Sequence, residues 1–166
     1  MGAEIKNRHF EDGLAALELE DYEEALHLFT AATEDGCAIA FTYLSSMFED
    51  GIGVDIDTEK AVALLYQAAD LNDAAAFNRL GYLHAVGQHV EKNLGAAVEF
   101  HKLAAQQGFA NSQCDLGRHY AHGIGIQQNL AEAQKWYRIA AQAGQTLAQH
   151  NLAGLLLNNH NPHRDT

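Results

Sequence analysis

Residues 112–145 read SQCDLGRHYAHGIGIQQNLAEAQKWYRIAAQAGQ, residues 76–109 read AFNRLGYLHAVGQHVEKNLGAAVEFHKLAAQQGF, and residues 40–73 read AFTYLSSMFEDGIGVDIDTEKAVALLYQAADLND. Each copy lies 36 residues from the next in register. Self-similarity at a fixed period of this kind is the signature of stacked supersecondary units, because one unit cannot bury its apolar face alone. The period points to an extended binding surface rather than to a pocket for chemistry.

Aligned, the copies separate positions set by packing from the rest. Leu44, Leu80, Leu116 and Leu152 share one phase, with Phe48, His84, Tyr120 and Leu156 four residues later, so both rows lie on one face of a first helix. Gly51, Gly87 and Gly123 follow as left-handed caps. Asp57, Asn93 and Asn129 then stand where a second helix needs acceptors for its free amides, and Asp21 does the same in an earlier unit. The second helix carries Ala25, Ala61, Ala97 and Ala133, a bulky pair of rows containing Phe29, Leu65, His101 and Tyr137, and then Ala32, Ala68, Ala104 and Ala140. Small rows let helices approach and large rows fill the space between them. Gly36, Gly108 and Gly144 end it, with Asn72 as the tolerated substitute. The expected fold is all-α: a solenoid of about four antiparallel helix pairs, in units 6–37, 38–73, 74–109 and 110–145. A C-terminal capping helix, 146–158, completes one domain over 1–158, followed by a polar tail, 159–166.

Composition agrees. Apolar residues make up 48% of the 166, enough for a continuous core, and the single proline, Pro162, lies beyond the repeats. No apolar run reaches the roughly 18 residues that span a bilayer, and the start, MGAEIKNRHFEDG, lacks the apolar segment of a signal peptide, so the chain reads as cytoplasmic and not membrane-bound. Lys6 stands where a myristoylation signal on Gly2 wants Ser or Thr. Cys37 and Cys114 differ in repeat phase and are expected to be free thiols in a reducing compartment. The net charge is −12 and uneven: residues 1–73 hold 17 acidic against 3 basic residues, residues 74–166 hold 5 against 7. That field repels nucleic acid and favours a basic protein partner, unless it is a solvated surface that keeps the chain soluble.

The pattern Leu80-Gly81, Gly87, Val90, Asn93, Ala97, Ala104-Ala105, Gly108 and its fuller copy Leu116-Gly117, Tyr120, Gly123-Ile124-Gly125-Ile126, Ala133, Trp136-Tyr137, Ala140-Ala141, Gly144 closely resembles the Sel-1-like repeat. The unit from Cys37 departs from it at Ser45 and Asn72. The first unit, with Gly13, Ala25, Phe29 and Ala32, has a turn read as two residues shorter and is more similar to a tetratricopeptide repeat. The resemblance implies a right-handed α-solenoid and an adaptor that holds a protein or peptide in a groove lined by first helices; function remains analogy at this level. Projected onto that groove, Phe10, Thr42, Asn78, Cys114 and His150 form one row. Asn78, Tyr82, Asn111, Cys114, Arg118, His122 and His150 are the candidate contacts, Asn and Arg for backbone or carboxylate, Tyr for contact area. Leu155 and Leu157, in the run Leu155-Leu156-Leu157, either pack on the preceding pair or form an end interface, leaving the chain a monomer or a weak dimer.

Chemistry is harder to find. His84 and His101 occupy rows of bulky core residues and are expected to be buried together, resisting double protonation. His119 and His122 are three apart on a helix, a spacing that chelates metal in other contexts, but no HExxH or zinc-knuckle spacing is present and no metal or cofactor is expected. His160 and His163 fall in the tail. The GIGV and GIGI turns lack the strand and the Lys-Ser/Thr of a phosphate loop. No GxSxG, SxxK or KTG accompanies Ser45, Ser46 or Ser112, and Cys114 with Asp115 and His119 is the sole thiol constellation. The reading is a non-enzymatic interaction adaptor. Its alternatives are an immunity protein, inhibitor or chaperone for a basic effector, and, in another class, a β-lactamase-like or thiol hydrolase.

Overall fold

The computed structural model describes residues 2–159, with side chains over 8–157; residues 160–166, including His160 and His163 and most of the expected tail, lie outside the described residues. The described residues form α1 (Gly2–Glu18), α2 (Tyr22–Glu34), α3 (Ala38–Asp50), α4 (Thr58–Asp70), α5 (Ala74–Val86), α6 (Leu94–Gln106), α7 (Ala110–His122), α8 (Leu130–Gln142) and α9 (Thr146–Asn159), with no strand among them. The architecture is an all-α repeat solenoid with a C-terminal helix.

The helix boundaries follow the polar punctuation. The side chains of Asp21, Asp57, Asn93 and Asn129 each accept from backbone amides in the first turn of the helix they precede. Such a cap contributes about 1 kcal/mol per helix. Gly51 and Gly123 close α3 and α7 at φ 70° and 67°, and Asn72 takes the left-handed place at φ 66° that Gly36, Gly108 and Gly144 take elsewhere. One expectation needs correction. The connection between α1 and α2 spans residues 19–21, whereas that between α3 and α4 spans 51–57, so the first turn is four residues shorter, not two.

The chain divides into two compact units, residues 1–80 and 81–166. In the first, Ala16, Ala25, Phe29, Leu44 and Met47 are buried, with Phe10, Leu14 and Leu28 packed against them. Phe10, Phe29 and Tyr43 form a ring cluster with centroids 5.3–5.8 Å apart. Phe10, projected onto the groove row, therefore belongs to this core. Asp73 Oδ1 accepts from Thr42 Oγ1 and from the Ala76 amide, and Arg79 donates to both carboxylate oxygens of Glu49, so α3 and the start of α5 are tied together.

In the second unit, Cys114, Ala121, Ala133, Tyr137, Ala140 and Ala148 form one core, with Leu152 and Leu155 against it. Val98, Ala105 and Leu116 form another, flanked by Tyr120, Ile126 and Trp136. Close helix approach is what the glycine row provides. A Cβ on Gly81 would lie 2.4 Å from the His101 ring and one on Gly117 2.6 Å from the Tyr137 ring. Ser45 holds this position in the second repeat, where its hydroxyl donates to the Ala61 carbonyl at 2.8 Å.

The histidine expectation also changes. His101 is buried, but His84 is half-exposed, its ring stacked on Phe100 at 5.6 Å and its Nδ1 3.2 Å from the Glu91 carbonyl. The buried imidazole beside His101 is His119, with Nδ1 of the former 3.0 Å from Nε2 of the latter. His119 stands in a column otherwise filled by Met47, Leu83 and Leu155, so an apolar slot holds it.

Candidate functional site

Within residues 81–166, α7 carries Asn111, Cys114, Arg118 and His122 at three- and four-residue spacing, which places them along one face of the helix. Two concavities border it. A cleft of about 300 Å3 is lined by Tyr82, Val86, Lys92, His101, Asp115 and Arg118, among others. A shallower hollow of about 210 Å3 is lined by Ala121, His122, Tyr137, His150, Asn151 and Leu155 together with Gly154. Tyr82, 47% exposed, and Arg118 thus meet in the cleft, while His122, His150 and Leu155 meet in the hollow.

The remaining candidates sit differently. Asn111 is exposed and accepts from Gln145 Nε2 at 3.5 Å. Cys114 is only 3% exposed; Asn151 Nδ2 lies 3.9 Å from its sulfur, and burial pushes its thiol above the ordinary value. Asn78 is half-buried in the first unit. Leu155 packs against the core of the second unit, whereas Leu157 is 72% exposed.

The cleft is a chain of charged and titratable groups that the groove projection took only in part. Arg118 donates to Asp115 Oδ1 at 2.9 Å, and Asp115 Oδ2 lies 3.9 Å from His101 Nε2. His119 Nδ1 is 2.8 Å from the Ile124 carbonyl. Burial holds the His119 imidazole below its ordinary range, outweighing the carbonyl hydrogen bond that favours its charged form. Burial likewise pushes the Tyr137 phenol up to about 12.

This geometry bears on the thiol constellation. A thiol nucleophile needs a lowered pKa and a base in reach. Cys114 is raised instead, and His119 has both ring nitrogens engaged, with Ile124 and with His101. Among the described residues no group of three or more His, Cys, Asp or Glu is placed to hold a metal. Both cysteines are free. No helix among the described residues is long and apolar enough to cross a membrane.

Paired helices capped by Asx residues, glycine rows under bulky rows, and concavities walled by exposed side chains define a helical-repeat protein of the kind that works through its surface. The Sel1 repeat family matches residues 8–37, 40–73, 74–109 and 110–145, and the chain belongs to that family. The match takes in the first unit along with the other three. Among solved structures, a Sel1 repeat protein from Oxalobacter formigenes is 29% identical with a TM-score of 0.74, covering 76% of this chain and 95% of its own. A protective antigen of uropathogenic Escherichia coli with an SLR fold is 28% identical with a TM-score of 0.82, covering 90% of this chain and 33% of its own. Cysteine rich protein B of Helicobacter pylori, 20% identical over 89% of this chain and 94% of its own at a TM-score of 0.58, shares the fold. No curated protein gives a significant match. Sel1 repeats serve in general as scaffolds for protein–protein interaction.

Proposed function

We propose that the chain is a non-enzymatic adaptor, one repeat domain over 1–158, that holds a protein or peptide segment on the surface built by Tyr82, Arg118, His122 and His150, with Asn111 adding a polar contact. The observation that carries this reading is the cleft in which a half-exposed tyrosine stands beside an arginine. Tyr and Arg are the residue types that most often dominate binding energy, since each offers large contact area and directed hydrogen bonds. The acidic residues 1–73 favour a partner with a basic stretch and disfavour nucleic acid. Two free thiols fit a reducing, cytoplasmic setting. The buried Cys114 supports the partner through packing rather than direct contact, and exposed Leu157 is the place for a second contact.

Affinity capture from a native extract with the wild type and with Tyr82→Ala/Arg118→Glu tests this. Both proteins should melt alike, and proteins retained specifically by the wild type should be lost from the double variant. The same partners at the same yield on both would contradict the assignment.

A further inference from the structure

The buried histidine pair fixes where an added proton goes. A carbonyl oxygen only accepts, so His119 carries its hydrogen on Nδ1, donates it to Ile124 and offers the Nε2 lone pair. His101 Nδ1 is therefore the donor to His119 Nε2, and in the neutral pair the His101 lone pair is on Nε2, the nitrogen 3.9 Å from Asp115 Oδ2. A proton entering there creates an imidazolium facing a carboxylate. A proton on His119 Nε2 would instead set two N–H groups against each other, in agreement with the lowered pKa that burial gives His119.

The groups around His101 are Tyr82 on α5, with half-exposed His84 stacked on neighbouring Phe100; Lys92 on the α5–α6 connection; and Asp115, Arg118 and His119 on α7. On its own helix, Glu99 and Lys102 pair with each other at 3.9 Å. With the histidines neutral, Lys92, Arg118 and Asp115 leave the cleft one positive charge. A proton on His101 makes it two. Arg118 spends one terminal nitrogen on Asp115, and the guanidinium fork has further donors that match a carboxylate.

Resting on the adaptor reading, we infer that this cleft takes a carboxylate of the bound segment, and that its binding is coupled to uptake of one proton at His101 Nε2. A single carboxylate matches one or two positive charges. A polyanion would meet Asp115 at the cleft and the chain's net charge of −12. Bound carboxylate and His101 proton favour each other by Coulomb attraction in a partly desolvated site, and reciprocity requires that each raise the occupancy of the other.

The test uses a fluorescent Gly-Gly-Glu-Gly-Gly amide, which carries one carboxylate, and its Gln counterpart as control, titrated by anisotropy at pH 7.5, 6.5 and 5.5 against the whole chain. The glutamate peptide should bind about tenfold more tightly at pH 5.5 than at 7.5, and the glutamine control should show no pH dependence. His101→Gln, which keeps a donor toward His119, should flatten the profile, and Arg118→Gln should weaken binding at every pH. Ring nitrogen NMR of the wild type supplies a readout independent of variant folding: His101 should gain its proton on Nε2, at a higher midpoint when the peptide is bound, with His119 remaining the Nδ1–H form. Equal affinity at all pH values, no preference for glutamate, or titration of His119 in place of His101 overturns the inference. A chain that captures its protein partners at pH 7.5 yet ignores the glutamate peptide loses this inference alone; one that does neither loses the adaptor reading too.

Discussion

His119 shows how a single residue can set a pH response in an otherwise generic repeat. In the unfolded chain it takes a proton near its ordinary value of 6.5, whereas burial lowers that value in the fold. The unfolded state therefore binds more protons as the pH falls, and stability, full above about pH 6.5, is lost below it. Complete exclusion of one proton sets a ceiling of about 1.4 kcal/mol on the loss at pH 5.5 relative to pH 7.5, readable as a lower urea midpoint. His101→Tyr/His119→Leu, which installs the residues found at these positions in sister repeats, should lose most of that acid sensitivity; equal slopes in the two proteins would contradict the assignment. The buried status of His101 was legible from its row. The partner was not, because His84 shares a row with Tyr120 and Phe48, whereas the revealing column was the apolar one of Met47 and Leu83, where a histidine is the exception. His89 is a second residue of this kind. At φ 59° it fills the place that Gly53 and Gly125 hold in neighbouring repeats, and a side chain is strained there. His89→Gly should raise stability by up to about 1 kcal/mol in chemical denaturation, and a loss of that size would show that the backbone is not strained.

At the scale of helices, the glycine row decides how closely each pair can pack. Gly117 sits under the Tyr137 ring, so Gly117→Ala must push apart α7 and α8 and should cost about 2 kcal/mol, measured by thermal or urea unfolding. A neutral result would mean the helices slide without penalty. The contrast with Ser45 is instructive, since that position tolerates a side chain by giving its hydroxyl a carbonyl acceptor. Asn129→Ala removes acceptors from the Ala131 and Glu132 amides and should cost about 1 kcal/mol. Caps, glycines and alanine rows were all readable because each is a local requirement repeated in register. The length of the first turn was not, since without a glycine cap to mark the end of α1 the helix boundary cannot be placed to within two residues.

For the whole molecule, the repeat made the fold class and family legible, and the departures from it mark the candidate site. Tyr82 and Arg118 line one cleft, and His122 and His150 line one hollow. Cys114 is withdrawn from solvent instead, and Lys92 and Asp115 add charge that no groove row named. Those last two arrive from a turn and from the flank of α7, where repeat phase carries no information about facing. The central claim is that the cleft beside α7 contacts a protein partner. Its most direct measurement is photocrosslinking with p-benzoylphenylalanine placed at position 82, compared with the same group at Leu103, which is 40% exposed on α6 and outside the cleft. The account expects a discrete adduct from position 82 that Arg118→Glu abolishes, and none from position 103; an adduct from position 103 alone, or equal adducts from both, would contradict it.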